Sequence, residues 1–287
     1  MSELKLKKQL DDIYYNTGNS TFSDEKYDEL VESIEKKYGR VVLGLGAVPR
    51  QGAVKLPYYM GSMDKIKSED CDKVVRWLKG NAHTNYIIEE KLDGVSCLYM
   101  KSKMYTRGDG IEGSDVSHLL EHIKVPKIKE SVAVRGELIM KKQVFIDKYS
   151  EEYANPRNMV AGRVGGKTIR KGIEDIDFVA YEIVNNEKYN MSPAEQIEYL
   201  KSLGFNTCKY LILSSNVGCE ELISSIVILK SNSKYDIDGI IVQGNTSNYI
   251  RNTSGNPSYA FAFKMLMSEN VVETRVEDVL WNVSKWG

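Results

Sequence analysis

The chain has 287 residues, 42% hydrophobic and 28% charged, with 39 Lys plus Arg against 40 Asp plus Glu and so a formal net charge of −1. That balance excludes a disordered or fibrous chain, allows one large globular unit or two modest ones, and supplies no overall attraction for nucleic acid, so any DNA contact must be local. No apolar run approaches the roughly 18 residues of a membrane span, and MSELKLKKQL has no apolar stretch after its basic residues, so the expected setting is cytoplasmic, with no membrane partner.

Two helical patterns open the chain, with Leu6, Leu10 and Ile13 on one stripe and Tyr27, Leu30, Val31, Ile34 and Tyr38 on another. Between them NTGNSTFS is turn-rich, Ser23 is placed as a cap, and Asp24 and Glu25 fall in the next first turn, which predicts a helical hairpin. So small a hairpin cannot bury both apolar faces and must pack on something larger. Residues 39–57, with their glycines and prolines, read as its connector.

A short helix is expected from Ser68 as its cap to Gly80 as its stop, with acidic residues at 69, 70 and 72 in its first turn. Strand signals follow at 85–90, 95–101, 132–139, 177–184, 207–213, 238–243 and 259–264, rich in Val, Ile, Tyr and Phe. A helix at 193–203 has a capping box, Ser192 to Glu195, and Gly204 as terminator. Strands and helices without strict alternation predict an α+β fold with largely antiparallel sheets. The four cysteines, Cys71, Cys97, Cys208 and Cys219, form no CxxC pair and are joined by only three histidines, so free thiols are expected and no zinc.

The chemistry-bearing residues are clustered. Lys91, in Glu89-Glu-Lys-Leu-Asp-Gly94, sits between a strand and a glycine turn, and in an extended segment it shares a face with Glu89. A lysine sequestered in a pocket can act as a nucleophile once it loses its proton. In Tyr259-Ala-Phe-Ala-Phe-Lys264 the aromatic face belongs to a core, while the alanine face leaves room for a ligand and ends in a lysine. Arg135 and Glu137 share a face opposite Val134 and Leu138, and charges projecting from a strand need solvent or a polar ligand. Thr106-Arg-Gly-Asp-Gly110 and Ala154-Asn-Pro-Arg-Asn158 read as turns in which backbone and guanidinium can approach a phosphate together.

In this order the pieces resemble the NAD+-dependent DNA ligases over roughly residues 10–287: Lys-Leu-Asp-Gly at 91–94, Thr-Arg-Gly-Asp-Gly at 106–110, Arg-Gly-Glu at 135–137, Asn-Pro-Arg-Asn at 155–158, Asp-Gly-Ile-Ile-Val at 238–242 and Ala-Phe-Lys at 262–264. The resemblance implies a helical NAD+-recognition hairpin at 1–48, an ATP-grasp-like nucleotidyltransferase (adenylation) domain at 49–270, and at 271–287 the start of an OB domain, through Glu277 to Ser284. It implies that Lys91 attacks the α-phosphorus of NAD+, NMN leaves, and AMP stays on the lysine for transfer to a 5′-phosphate at a nick in double-stranded DNA. Lys264 and Arg157, with Mg2+, would stabilise phosphate charge, and Asp93 and Asp238 are the carboxylates suited to metal binding or later chemistry.

By the same resemblance Glu89 accepts the adenine amino group, Glu137 the ribose hydroxyls, Arg107 meets the ribose or phosphate, Tyr181 stacks on adenine, and Ser62 and Met63 line the pocket. Tyr14, Asp24, Tyr27 and Asp28 would hold the nicotinamide mononucleotide half. Three positions depart from the family pattern: Tyr15 replaces a histidine, Gln243 a lysine directed at the nucleotide, and Gly165 an arginine. Lys264 and Lys230 are the candidates to make good the lost lysine, and Arg163 or Lys167 the lost arginine. A monomer is expected that charges itself with AMP, with nick sealing left to OB and downstream domains or a separate subunit, at a nucleoid or viral replication site. The alternatives are an ATP-dependent ligase or capping-type nucleotidyltransferase, which would release pyrophosphate, and a module that binds NAD+ or DNA without catalysis.

Overall fold

The computed structural model describes residues 53–128, 132–166 and 168–265, together with residues 33–34. In chain order the strands are β1 (Ala53–Lys55), β2 (Asp64–Lys67), β3 (Asn85–Leu92), β4 (Val95–Met100), β5 (Lys103–Thr106), β6 (Glu112–Ser114), β7 (Val134–Met140), β8 (Ile176–Ile183), β9 (Asn206–Thr207), β10 (Tyr210–Ser214), β11 (Ile237–Gly244) and β12 (Ala260–Lys264). The helices are α1 (Cys71–Gly80), α2 (Lys142–Lys148), α3 (Pro156–Val164), α4 (Pro193–Ser202) and α5 (Cys219–Asn232). The predicted N-terminal hairpin, with Tyr14, Tyr15, Asp24, Tyr27 and Asp28, and the 271–287 segment lie outside the described residues.

Two five-stranded sheets form the body, one ordered β10-β3-β11-β12-β2 and the other β5-β4-β7-β8-β9. All pairings within them are antiparallel except β12 with β2 and β8 with β9, which agrees with the α+β expectation. Asp93 and Gly94 carry the chain from β3 in the first sheet to β4 in the second. Gly94 is needed there for close approach: a Cβ would lie 2.3 Å from the Leu138 carbonyl oxygen and 2.9 Å from Glu137 Cγ. One apolar cluster packs α1 and α5 on the first sheet, through Val74, Leu222, Ile226, Ile240 and Phe263. A second packs α2 and α3 on the other sheet, through Phe145, Met159, Val160, Val134 and Leu138. With both outer faces covered by helices, the polar side chains of the two sheets are left to face each other.

The structure corrects several expectations. Helix α1 begins at Cys71 with Asp70 as an N-cap that makes no side-chain capping bond, so only Asp72 lies in the first turn. Ser68 is no cap because residues 64–67 pair with β12, and the Ser68 amide continues that ladder to the Lys264 carbonyl. The Asn155 cluster is the start of α3 rather than a turn: the Asn155 side chain accepts from the Asn158 amide at 2.8 Å, and Pro156 fills the first helical position. Part of the 39–57 connector is strand β1, paired with β6. The capping box on α4 is formed as expected, Ser192 N donating to Glu195 Oε2 at 2.7 Å.

Two of the four cysteines are not free thiols. Cys71 and Cys219 each open a helix, α1 and α5 pack side by side, and the Cα atoms come within 5.7 Å in a disulfide. A separation of 148 residues conceals that pairing from any spacing rule. Cys97 and Cys208 are free and buried, and burial pushes both thiols well above their ordinary range. Among the described residues no helix is long and apolar enough to cross a membrane.

Candidate active site

The cleft between the sheets is lined from both sides. From the first sheet come Glu89 and Lys91 on β3, Asp238, Ile241 and Gln243 on β11, and Lys264 on β12. The second sheet contributes Ser96 on β4, Arg135 and Glu137 on β7, and Tyr181 and Glu182 on β8. Ser62, Met63 and Arg107 enter from loops and Arg157 from α3.

At its centre one carboxylate joins two ammonium groups. Lys91 Nζ donates to Asp238 Oδ1 at 2.6 Å, and Lys264 Nζ lies 2.9 Å from Asp238 Oδ2. Asp238 reaches this position through a break in strand register, since Ile237 pairs with Leu92 but Ile240 with Glu90, leaving Asp238 and Gly239 opposite the single residue Lys91. This is a β-bulge, which bends a strand and re-aims its side chains. Gly239 permits it with φ of 155°, where a Cβ would press to 2.4 Å from the Phe263 carbonyl oxygen. Burial opposes ionisation of Asp238, but the two lysines outweigh it and hold the carboxyl far below the usual range.

A second bulge shapes the opposite wall. Arg135 pairs with Glu182 and Gly136 with Ala180, so Tyr181 is the extra residue on β8. Adjacent residues of a regular strand point to opposite faces, yet Tyr181 and Glu182 both line the cleft. The Tyr181 hydroxyl donates to Glu137 Oε2 at 3.2 Å and shares a hydrogen bond with Ser96 Oγ at 2.8 Å. Arg157 Nη1 pairs with Asp93 Oδ1 at 2.6 Å, which locks the start of α3 to the β3–β4 turn.

Two acids in the cleft retain their protons unusually well. Burial, assisted by the charge of Glu182, pushes Glu89 up to about 8. Burial pushes Glu137 up to about 7 against the opposing pull of Arg157, Arg135, Lys91 and Arg107. The unfolded chain releases these protons near pH 4.3, so above that pH the folded state binds more protons and stability falls as pH rises, until each group ionises in the fold. The carboxyls that the fold holds low, Asp238, Glu182, Asp115 and Asp175, act at more acidic pH. The expected result is a ligand-free melting temperature that declines between about pH 5 and 8, by on the order of a few kcal/mol of stability, and flattens in Glu89→Gln. Thermal denaturation across buffers checks it, and an unchanged slope in that variant would remove Glu89 as the cause.

Most sequence-predicted site residues meet in the cleft: Lys91, Lys264, Arg157, Asp238, Ser62, Met63, Glu89, Arg107, Glu137, Tyr181 and Gln243. Asp93 does not line it and serves through its ion pair with Arg157. Gln243 faces the cleft as an amide, and Lys230, at the far end of α5, does not reach it to replace the missing charge. Nor does Arg163, whose guanidinium lies 5.4 Å over the Tyr153 ring, although Gly165 itself lines the cleft; Lys167 lies outside the described residues. The alanine face of β12 is corrected too: Ala260 and Ala262 are fully buried and do not line the cleft, whereas Tyr259, expected in the core, does. Glu182, Arg251, Gln196 and Tyr249 also line it without having been singled out, as they belong to no local motif.

A family model described as the NAD-dependent DNA ligase adenylation domain matches residues 61–268, a span that holds every lining residue except Tyr59. The chain belongs to this family. Within it, a DNA ligase of Acanthamoeba polyphaga mimivirus is 40% identical over 291 residues, covering 96% of this chain and 44% of that protein. A DNA ligase of Thermosipho africanus is 29% identical over 313 residues, covering 96% of this chain and 46% of that protein. The chain thus spans less than half the length of these two relatives. Among solved structures, a Naegleria gruberi RNA ligase is 12% identical with a TM-score of 0.43, covering 75% of this chain and 57% of that one.

Proposed function

We propose that the chain is the self-adenylating part of an NAD+-dependent DNA ligase. The observation that carries this reading is the Lys91–Asp238–Lys264 bridge in a cleft walled by both sheets. Lys91 Nζ, having released a proton to solvent, attacks the α-phosphorus of NAD+. An N–P bond forms, the P–O bond of the pyrophosphate breaks, NMN departs with that electron pair, and the nitrogen sheds a second proton to solvent to leave the phosphoramidate. Asp238, which accepts from Lys91 Nζ at 2.6 Å, aims the amine. Lys264 and Arg157 balance charge on the phosphate oxygens. Glu89 takes the adenine amino group, Glu137 the ribose hydroxyls, Arg107 the ribose or phosphate, Tyr181 the adenine face, and Ser62, Met63 and Gln243 complete the wall. Residues 1–48, through Tyr14, Tyr15, Asp24, Tyr27 and Asp28, hold the NMN half, and 49–270 is the adenylation domain.

Mg2+ neutralises phosphate charge in reactions of this kind. Among the described residues no group of three or more His, Cys, Asp or Glu side chains could hold a metal, and Asp93 and Asp238 each face a cation already. The described residues thus do not build a protein cage for Mg2+. Delivery of AMP to the 5′-phosphate of nicked DNA, in the cytoplasm at a nucleoid or viral replication site, is the step that follows, and residues 1–287 by themselves, as a monomer, seal nicks weakly or not at all.

Intact mass after incubation with Mg2+ and either NAD+ or ATP tests the reading. A gain of one AMP from NAD+, absent with ATP and absent in Lys91→Ala, is the expected result. An adduct from ATP instead would make the chain an ATP-dependent enzyme, and no adduct from either, in a folded chain, would leave a binding module.

A further inference from the structure

One side of the cleft is an irregular segment. Residues 245–259, between β11 and β12, contain no helix or strand, yet they bring Tyr249, Arg251, Asn252, Gly255, Pro257 and Tyr259 to the lining. Ordering a loop of this length costs backbone entropy for each residue fixed, so a well-formed wall needs specific anchors. Its outer contacts are ordinary: Asn256 Nδ2 donates to Asp64 Oδ1 at 2.7 Å and Trp77 Nε1 to the Ser258 carbonyl at 3.0 Å. Inward, Tyr249 Oη accepts from Gln196 Nε2 at 2.8 Å, and a second anchor, Arg251, is charged and forked.

Arg251 Nε donates to Glu182 Oε1 at 2.5 Å, and its Nη1 donates to the Tyr59 carbonyl. The other oxygen of Glu182 lies 3.6 Å from Arg135 Nη1, and Arg135 Nη2 donates to the Gly61 carbonyl at 2.8 Å. The Tyr59 hydroxyl returns to the loop, donating to the Gly255 carbonyl at 3.2 Å. One carboxylate therefore seats two arginines, and these hold the Tyr59 and Gly61 carbonyls in the segment that leads to Ser62 and Met63. The side chains of Arg251 and Glu182 are 16% and 18% exposed, so water screens the pair weakly. Ile250 beside it is 90% exposed, whereas Arg251 turns inward to Glu182. The bulge at Tyr181 is what aims Glu182 into the cleft at all.

We propose that Glu182 and Arg251 are a positioning pair that joins the 245–259 loop to the Tyr59–Met63 segment and so preforms one wall of the nucleotide site. A preformed wall improves affinity by sparing the ordering cost at the moment of binding. The pair then governs how well nucleotide binds, whereas the bond-making atoms at Lys91 are left in place. This rests on the adenylation reading for its kinetic readout, and a direct binding measurement stands apart from it.

Arg251→Ala, Glu182→Ala and the double variant are compared in rate of AMP transfer against NAD+ concentration, and in affinity for AMP by calorimetry. Each single change is expected to raise the half-saturating NAD+ concentration and the AMP dissociation constant about tenfold while the saturated rate stays within about twofold. The double variant should be no worse than either single, since members of one linkage are not additive. Arg251→Lys, which keeps the charge but loses the fork, should fall between. Where Glu182→Ala does not fold, Glu182→Gln takes its place with a smaller rise. Unchanged affinity in folded single variants would overturn the proposal, as would a double variant about a hundredfold weaker, which would mean independent contacts with the nucleotide. A collapse of the saturated rate would also overturn it, by placing Arg251 in the chemistry. If the unaltered chain takes up no AMP from NAD+, the adenylation reading fails, and the calorimetric comparison still decides the pair.

Discussion

Lys91→Arg is expected to stop AMP transfer altogether while the protein stays folded. Arginine keeps a cation opposite Asp238, so the electrostatic reason for the strand register survives, and the melting temperature should move by only a few degrees. What disappears is a nitrogen able to shed its proton and attack phosphorus, since a guanidinium is effectively never deprotonated in a protein. The rate should fall by at least about a thousandfold, below detection by intact mass, while AMP binding by calorimetry stays within about threefold. That split separates nucleophile from mere charge. If Lys91→Arg still gained AMP on the substituted side chain or elsewhere, Lys91 would not be the nucleophile.

Asp238→Ala should have the largest effect on the fold. It removes the one carboxylate that Lys91 and Lys264 share in a cleft where their side chains are only 23% and 19% exposed. Removing one partner from a buried ionic cluster leaves uncompensated charge and costs on the order of 3 kcal/mol or more, here with two ammonium groups left to repel each other. Denaturant unfolding should show that loss at neutral pH, and AMP transfer should drop sharply because the amine is no longer aimed. Asp238→Asn keeps the shape and one acceptor, so it should recover part of the stability and little of the rate. Equal stability of the alanine variant and the unaltered chain would mean that solvent, not Asp238, balances the lysines.

Much of this site can be read along the chain because the residues that touch the reacting groups sit in short, dense stretches: a lysine between acids and glycine, Arg-Gly-Glu within an apolar strand, Asp-Gly before three strand-forming residues. Runs of Val and Ile likewise announce β3, β7, β8 and β11. The short strands β1, β2 and β6 carry little pattern of their own, since pairing with distant segments decides them. The start of α3 was signalled by Asn155-Pro156, an N-cap followed by proline, which reads equally well as a turn until its apolar face finds β7. What stays hidden is long-range: the partner of Cys71 lies 148 residues away, and Glu182 acquires meaning only when Arg251 and Arg135 arrive from other parts of the chain.

The two bulges bear on which changes the chain can accept. Each places one more residue on its strand than the partner strand has opposite it, and each sits where a side chain must turn inward, at Asp238 and at Tyr181. Deleting Tyr181 or Gly239 would restore even pairing with the flanking residues still opposite their present partners, at the loss of the extra inward turn that the bulge supplies, whereas a one-residue deletion elsewhere in β8 or β11 would turn every side chain beyond it to the other face of the sheet. Substitutions at these places alter one group at a time, but a change of length rearranges a whole wall. Residue count within β8 and β11 is thus a stricter inheritance than residue identity.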